Sequence, residues 1–431
     1  MRIGNIRGKN ILLLMIYYFA ITASYIYWVS PHFSRSGFIV SDSLICGLFG
    51  IFIAFLMAFI ASGLIERGNV SDIVILFLTM LYFYPQVVLF AHCLNNWPFF
   101  IFVIAYYVLM IVFNHYINLG DRKLFISEHA NLFVATIVIL SLFMVAISGA
   151  FTGFRISFDL SDYYEYRFAA RELAMPTVVK YLFNWAKTIL PIGLTYAVIN
   201  KKWWLVGVTS VSEMLCFSFD GKKSSLFIFV LAFAISFLYR KKMLRRFPLY
   251  MTLVNIALFI EQAIRNGESF IGKNILRRMM FIPAYLGWAF YDFFQVNELD
   301  YFRSSFLRRF GFVSPYTEGI PRIIGRIYNV TLSSIGAVNA NTGLCGDAYS
   351  NLGWFSLFLY PAVIVLIIKV IEKYLNDLDA RLKIMICLIV AYSFMSGALF
   401  TVLLTNGILF LIVLLIIFPR SDIQKTAEIE N

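Results

Sequence analysis

Charge is scarce in this chain. Only 14% of its 431 residues are Asp, Glu, Lys or Arg, against about 25% in a soluble globular domain. With 61% apolar residues and a mean hydropathy of +0.79, the composition excludes a soluble enzyme and a disordered chain. Cysteine is sparse too: Cys46, Cys93, Cys216, Cys345 and Cys387 contain no CxxC pair, so a disulfide scaffold is excluded. Four histidines (His32, His92, His115, His129) lie far apart without metal-ligand spacing. No Walker loop, zinc-binding helix or GxSxG elbow occurs. No metal and no cofactor are therefore expected. Acidic charge is outnumbered, 24 against 36, for a net charge of +12. In a soluble protein that balance points to nucleic acid. Here the basic residues crowd short gaps between apolar runs, so the lipid bilayer is the expected partner and nucleic acid is not.

What is abundant is long apolar sequence. A bilayer-crossing helix needs about 20 residues, and twelve runs qualify: Asn10–Val29, Phe38–Ile60, Val70–Cys93, Trp97–Ile117, Ala130–Gly149, Thr177–Ile199, Trp203–Phe219, Ser224–Tyr239, Phe247–Ile264, Gly353–Ile371, Ile384–Val402 and Thr405–Phe418. They lack the alternation of strands. The expected fold is an all-α polytopic membrane protein of about 12 transmembrane helices, one integral domain over 1–431. Nineteen Lys and Arg, among them Arg2, Arg7, Lys9 and the Arg240–Arg246 cluster, fall on one side of that topology. The positive-inside rule makes that side cytoplasmic and puts both termini there. The first run is long and lacks a small-x-small cleavage site, so it reads as a signal anchor.

Two longer connections lie outside, at about 150–176 and 265–352. The medium one interleaves Arg155, Asp159, Asp162, Glu165, Arg167, Arg171 and Glu172 with aromatic residues. Aromatic faces pack on sugar rings, carboxylates accept sugar hydroxyls, and guanidinium forks match phosphate oxygens. A solvated loop with compensating charges is the plainer alternative. The large connection spans 88 residues, with nine basic residues against six acidic ones. Eight of the nine are Arg, a choice that phosphate clamping explains and simple solubility does not. Arg277 and Arg278 precede the apolar stretch Met279–Phe294, which carries Tyr291 and Asp292 and reads as an interfacial or re-entrant helix. The set also fits arginines reaching out to ordinary phospholipid. Asn339, Asn341, Asp347 and Asn351 then fall among closely spaced glycines. They are expected in tight turns offering amides and a carboxylate to a polyhydroxylated ligand, or simply capping the next span. Inside the spans, Glu213 is the carboxylate expected to be buried.

Three pieces resemble the Wzy family of O-antigen and repeat-unit polysaccharide polymerases. They are Asp162-Tyr-Tyr-Glu165-Tyr-Arg167; Arg277-Arg278-Met-Met-Phe-Ile-Pro283 followed by Tyr291-Asp292-Phe-Phe; and Asn341-Thr-Gly343 through Asp347-Ala-Tyr-Ser-Asn351-Leu-Gly353. The topology is similar as well. The resemblance implies a GT-C-like fold in the bacterial inner membrane, with both long connections functional and periplasmic. It implies metal-independent, inverting glycosyl transfer that joins undecaprenyl-diphosphate-linked oligosaccharides, with a separate chain-length-determining co-polymerase as partner. Arg277 and Arg278 would meet the leaving pyrophosphate, and Arg167, with Arg155 and Arg171, the second substrate. Asp159, Asp162 and Glu165 compete for the base, and Tyr291, Asp292, Asn339, Asn341, Asp347 and Asn351 line the substrate. A flippase of the same lipid-linked unit is the alternative, although flippases keep their loops short. An O-antigen ligase fits less well, because none of the four histidines falls in 265–352.

Overall fold

The computed structural model describes residues 2–41, 43–120, 130–154, 175–220, 223–239, 246–265, 273–328 and 339–419. No strand forms among them. Among the described residues eight helices are long and apolar enough to cross a membrane: Arg7–Ser36, Leu44–Arg67, Val70–Leu94, Trp97–Tyr116, Asn131–Thr152, Thr177–Ile199, Phe247–Ile264 and Leu344–Leu375. The chain is a multi-pass, all-α membrane protein. Trp203–Phe219 and Ser224–Leu238 are shorter apolar helices at two further expected positions. Ala380–Ser396 and Ile408–Ile416 occupy the last two, with 17 and 9 residues.

The residues cluster into two compact units. The first takes Met1–Asn118, Lys242–Lys369 and Ala391–Leu399. The second takes Leu119–Lys241, Val370–Val390 and Phe400–Asn431.

Val70–Leu94 is the axis of the first unit, its apolar window wholly buried, whereas that of Phe247–Ile264 is only 28% buried. It starts where Gly68, at φ +66, ends the preceding helix by donating its N–H to the Leu64 carbonyl. In its first turn Asp72 is buried and held by Arg67 at 2.9 Å and by the Asn114 amide at 2.8 Å. Pro85 supplies no N–H to the ladder, and the π-helical turn Thr79–Phe83 sits just ahead of it. Trp97–Tyr116 opens on Asn96, whose side chain accepts the Phe99 N–H at 3.0 Å, with Pro98 in the first turn.

The 265–352 stretch is not an open loop. It contains a π-helical segment Lys273–Phe281, helices Ile282–Val296 and Ile320–Ile327, a 3₁₀ turn Phe306–Phe310 and helix Leu344–Leu352. The apolar stretch is helical as expected, but protein encloses it. Ten of the fifteen residues of Ile282–Val296 are buried, on every side of the helix, so it lacks the single apolar face of an interfacial helix. The tight-turn expectation for 343–352 is overturned. Leu344–Leu352 is a helix with eight of nine residues buried, joined through the short turn Gly353–Phe355 to the following span. Glycine makes the approach possible. A Cβ on Gly287 would stand 2.8 Å from both Gln86 Nε2 and Tyr82 Oη, and one on Gly346 3.2 Å from the Gly287 Cα. One on Gly343 would stand 1.9 Å from the Phe394 carbonyl. Small residues that let membrane helices close up replace the hydrophobic drive that lipid does not provide.

The second unit gathers Thr177–Ile199, Trp203–Phe219, Ser224–Leu238 and Asn131–Thr152. Trp185 Nε1 donates to the Leu404 carbonyl at 2.7 Å, and the Thr188 hydroxyl to the Asn406 carbonyl at 2.6 Å. Gly407, at φ +79, restarts the chain beside Trp185. Glu213 is buried here, as its sequence position led us to expect.

Candidate functional site

The site is assembled on one helical run of the first unit. Pro283 lies in the first turn of Ile282–Val296, its fixed φ suited to that position. Tyr285, Trp288 and Asp292 follow at helical spacing and share a face. Asp292 Oδ2 accepts the Tyr328 hydroxyl at 2.6 Å. Tyr328 stands edge-on to Trp288 at 5.6 Å, Trp288 meets Tyr285 at 5.4 Å, and Tyr285 meets Phe38 at 5.0 Å. At the start of the run, Arg277 is buried with its guanidinium 4.1 Å above the Phe33 ring and 5.9 Å from that of Phe38. Such stacking contributes about 0.5–2 kcal/mol. Arg278 is half-buried. A cation and a carboxylate thus stand at the two ends of a chain of touching rings.

Burial pushes the Tyr328 phenol above its ordinary value, and the adjoining Asp292 carboxylate and Tyr285 push the same way. It is therefore a neutral hydroxyl donor at physiological pH. The Trp288 Nε1–H is buried and has no hydrogen-bond partner among the described residues. Asp292 and Trp288 are both half-buried, so the carboxylate and the ring are the groups here that a polyhydroxylated ligand could meet.

Tyr291 turns to another side of the helix. It is buried against Phe99 at 5.1 Å and Tyr349 at 4.3 Å, where it packs rather than faces an opening. Asn339 and Asn341 are exposed, and Ala340 between them ties back to the Pro321 carbonyl at 2.8 Å. Asp347 and Asn351 come together one helical turn apart and are both buried. Asp347 Oδ2 accepts the Leu399 N–H at 2.7 Å and the Tyr360 hydroxyl at 3.1 Å, while Oδ1 accepts the Asn351 amide at 3.1 Å. Asn351 Oδ1 accepts the Phe302 N–H at 2.8 Å. The polar atoms of this pair are spent on binding chain segments to one another. Arg155, Asp159, Asp162, Glu165, Arg167 and Arg171 lie outside the described residues. Among the described residues no three His, Cys, Asp or Glu side chains converge to hold a metal ion.

Tyr328, Tyr285, Trp288 and Tyr360 were not singled out from the sequence. Tyr328 is 36 residues from Asp292 and Leu399 is 52 from Asp347, and no local motif marks either partner. No protein family, curated protein or solved structure matches the chain.

Proposed function

We propose that the chain is a polymerase that joins undecaprenyl-diphosphate-linked oligosaccharide repeat units into O-antigen or a related surface polysaccharide. In this reading it is a twelve-pass, GT-C-like glycosyltransferase of the bacterial inner membrane, with both termini cytoplasmic and the two long connections periplasmic. A chain-length-determining co-polymerase accompanies it. The observation that carries the reading is the single helical run bearing Arg277 and Asp292, bridged by Tyr285 and Trp288.

The chemistry is a displacement at the anomeric carbon. The acceptor hydroxyl attacks from the face opposite the leaving group and gives its proton to a carboxylate, for which Asp159, Asp162 and Glu165 compete. As the new glycosidic bond forms, the bond from the anomeric carbon to the phosphate oxygen breaks, and undecaprenyl diphosphate departs with the electron pair. Arg277 and Arg278 neutralise the charge growing on that diphosphate, and the transfer inverts configuration without a metal. Arg155, Arg167 and Arg171 hold the second lipid-linked substrate, and Asp292 accepts sugar hydroxyls beside the Trp288 ring.

The test is a clean deletion in the source organism, with lipopolysaccharide resolved on a gel. The expected result is loss of the ladder with core plus one repeat unit retained. An unchanged ladder excludes O-antigen and moves the protein to another polysaccharide or out of glycan assembly, and polymer of normal length and yield from Arg277→Ala with Arg278→Ala defeats the assignment of those arginines. A second reading, translocation of the lipid-linked unit, draws on Glu213. Its Oε1 is buried without a hydrogen-bond partner among the described residues, within electrostatic reach of Lys187. An ionisable side chain kept inside the membrane is what a translocator needs. Absence of any repeat unit on the core would favour it or the ligase over the polymerase.

A further inference from the structure

Between Asp300 and Glu318 the chain holds three arginines and six aromatic residues and no acidic residue. Arg303 is used locally, 2.7 Å from Glu298. Arg308 and Arg309 form no ion pair among the described residues and are exposed. They sit on a built turn. Ser305 caps the 3₁₀ segment Phe306–Phe310 by accepting the Leu307 N–H, and Gly311, at φ +89, closes it. That closure turns consecutive large apolar side chains outward: Phe310 is 71% exposed, Phe312 50% and Val313 78%. Exposed apolar groups concentrated over four residues and flanked by two free cations are unusual on a water-facing loop.

The preceding turn fixes where this wedge lies. Asp300 N–H donates to the Ser350 carbonyl at 2.9 Å, Phe302 N–H to Asn351 Oδ1, and the Phe302 ring stacks on Tyr360. Those partners belong to the membrane-crossing helix Leu344–Leu375, whose neighbouring Trp354, Phe355 and Phe358 are exposed. Apolar and aromatic residues exposed on a spanning helix face lipid. The wedge is therefore anchored beside a lipid-facing surface.

We propose that Arg308–Val313 is a lipid anchor that inserts Phe310, Phe312 and Val313 among the acyl chains while Arg308 and Arg309 bind the phosphates of an anionic bilayer surface. Charge decides between occupants: a second copy of this chain would bring its own two arginines against these, whereas anionic headgroups complement them.

The test uses the full-length protein. All five native cysteines are buried, so Val313→Cys gives one accessible position for an environment-sensitive NBD dye, and Thr317→Cys, outside the wedge, serves as the control. In phosphatidylglycerol nanodiscs the label at 313 is expected to emit at shorter wavelength and be quenched by spin-labelled lipid, while the label at 317 stays aqueous. Arg308→Gln and Arg309→Gln each lower the ratio of inserted to solvated label about fivefold there, and leave it unchanged in phosphatidylcholine discs. Aqueous emission from position 313 in anionic discs overturns the proposal. So does equal insertion in both lipids with no effect of the arginine substitutions. A blue-shifted label that spin-labelled lipid fails to quench also overturns it, because the wedge then packs on protein.

Discussion

Replacing Asp347 separates a structural carboxylate from a substrate contact. In Asp347→Ala the Leu399 N–H and the Tyr360 hydroxyl lose their acceptor, while Asn351 keeps the Asp347 carbonyl at 2.8 Å. Each orphaned buried donor costs about 1–3 kcal/mol, so the expected loss is about 2–6 kcal/mol. Asp347→Asn is milder. Its oxygen can face Leu399 and Tyr360, which leaves its amide against the amide of Asn351. Asn351 cannot turn over, because its oxygen accepts the Phe302 N–H. One donor pair is lost, at about 1–3 kcal/mol, and Tyr360→Phe costs about 1 kcal/mol. The assay is thermal unfolding in detergent followed by a thiol-reactive dye, since all the native thiols are buried when the protein is folded. Melting temperatures should fall in the order Tyr360→Phe, Asp347→Asn, Asp347→Ala. An Asp347→Ala protein that melts with wild type would falsify the structural role. A stable Asp347→Asn protein that makes no polymer would move Asp347 to the substrate.

Gly343→Ala should prevent stable folding, because its Cβ would stand 1.9 Å from a backbone carbonyl that cannot swing aside. Gly47→Ala, with nothing within 4 Å of the added carbon, should be neutral or gain about 0.5–1 kcal/mol from helix propensity. Recovery of monodisperse protein on size exclusion compares the two. Arg67→Ala should destabilise more than Asp72→Ala by thermal melting, since it leaves the buried Asp72 carboxylate without its cation, whereas Asp72→Ala frees a half-exposed arginine to turn to water and orphans only the neutral Asn114 amide. Tyr328→Phe should cost about 1 kcal/mol at neutral pH. The Tyr328 phenol is raised in the folded state, so its contribution is whole below the free phenol value of about 10 and declines above it. The stability gap between wild type and Tyr328→Phe should stay constant to about pH 10 and narrow beyond; a gap that widens there would sink the assignment.

Eight of the twelve expected spans were legible because length and uninterrupted apolar character suffice to find them, and Glu213 could be placed because a lone carboxylate amid Val211, Met214 and Leu215 has nowhere else to go. The 343–352 stretch misled for a physical reason. Gly346, Asp347, Ser350 and Asn351 favour turns when exposed, but here burial satisfies their polar groups and the glycine admits a neighbouring backbone, so tertiary packing overrides propensity. The run from Arg277 to Asp292 was visible as residue types. Its partners were not, because Phe33, Phe38 and Tyr328 come from distant segments and pairing over such separations leaves no periodic trace.

The enclosed Val70–Leu94 helix also sets an order of assembly. Synthesised early, it carries Ser71, Asp72, Tyr82 and Gln86, yet the Ala284 carbonyl that receives its Gln86 amide and the Gly287 surface beside Tyr82 come about two hundred residues later. The wall against Gly343 and the amide that meets Asp347 come later still, from Phe394 and Leu399. A nascent chain stopped before Ala391 lacks that last segment of the first unit, so Gly343 loses its wall and Asp347 the Leu399 N–H. Truncations near the C-terminal end should therefore loosen the first unit where Leu344–Leu352 packs, although most of that unit is synthesised long before.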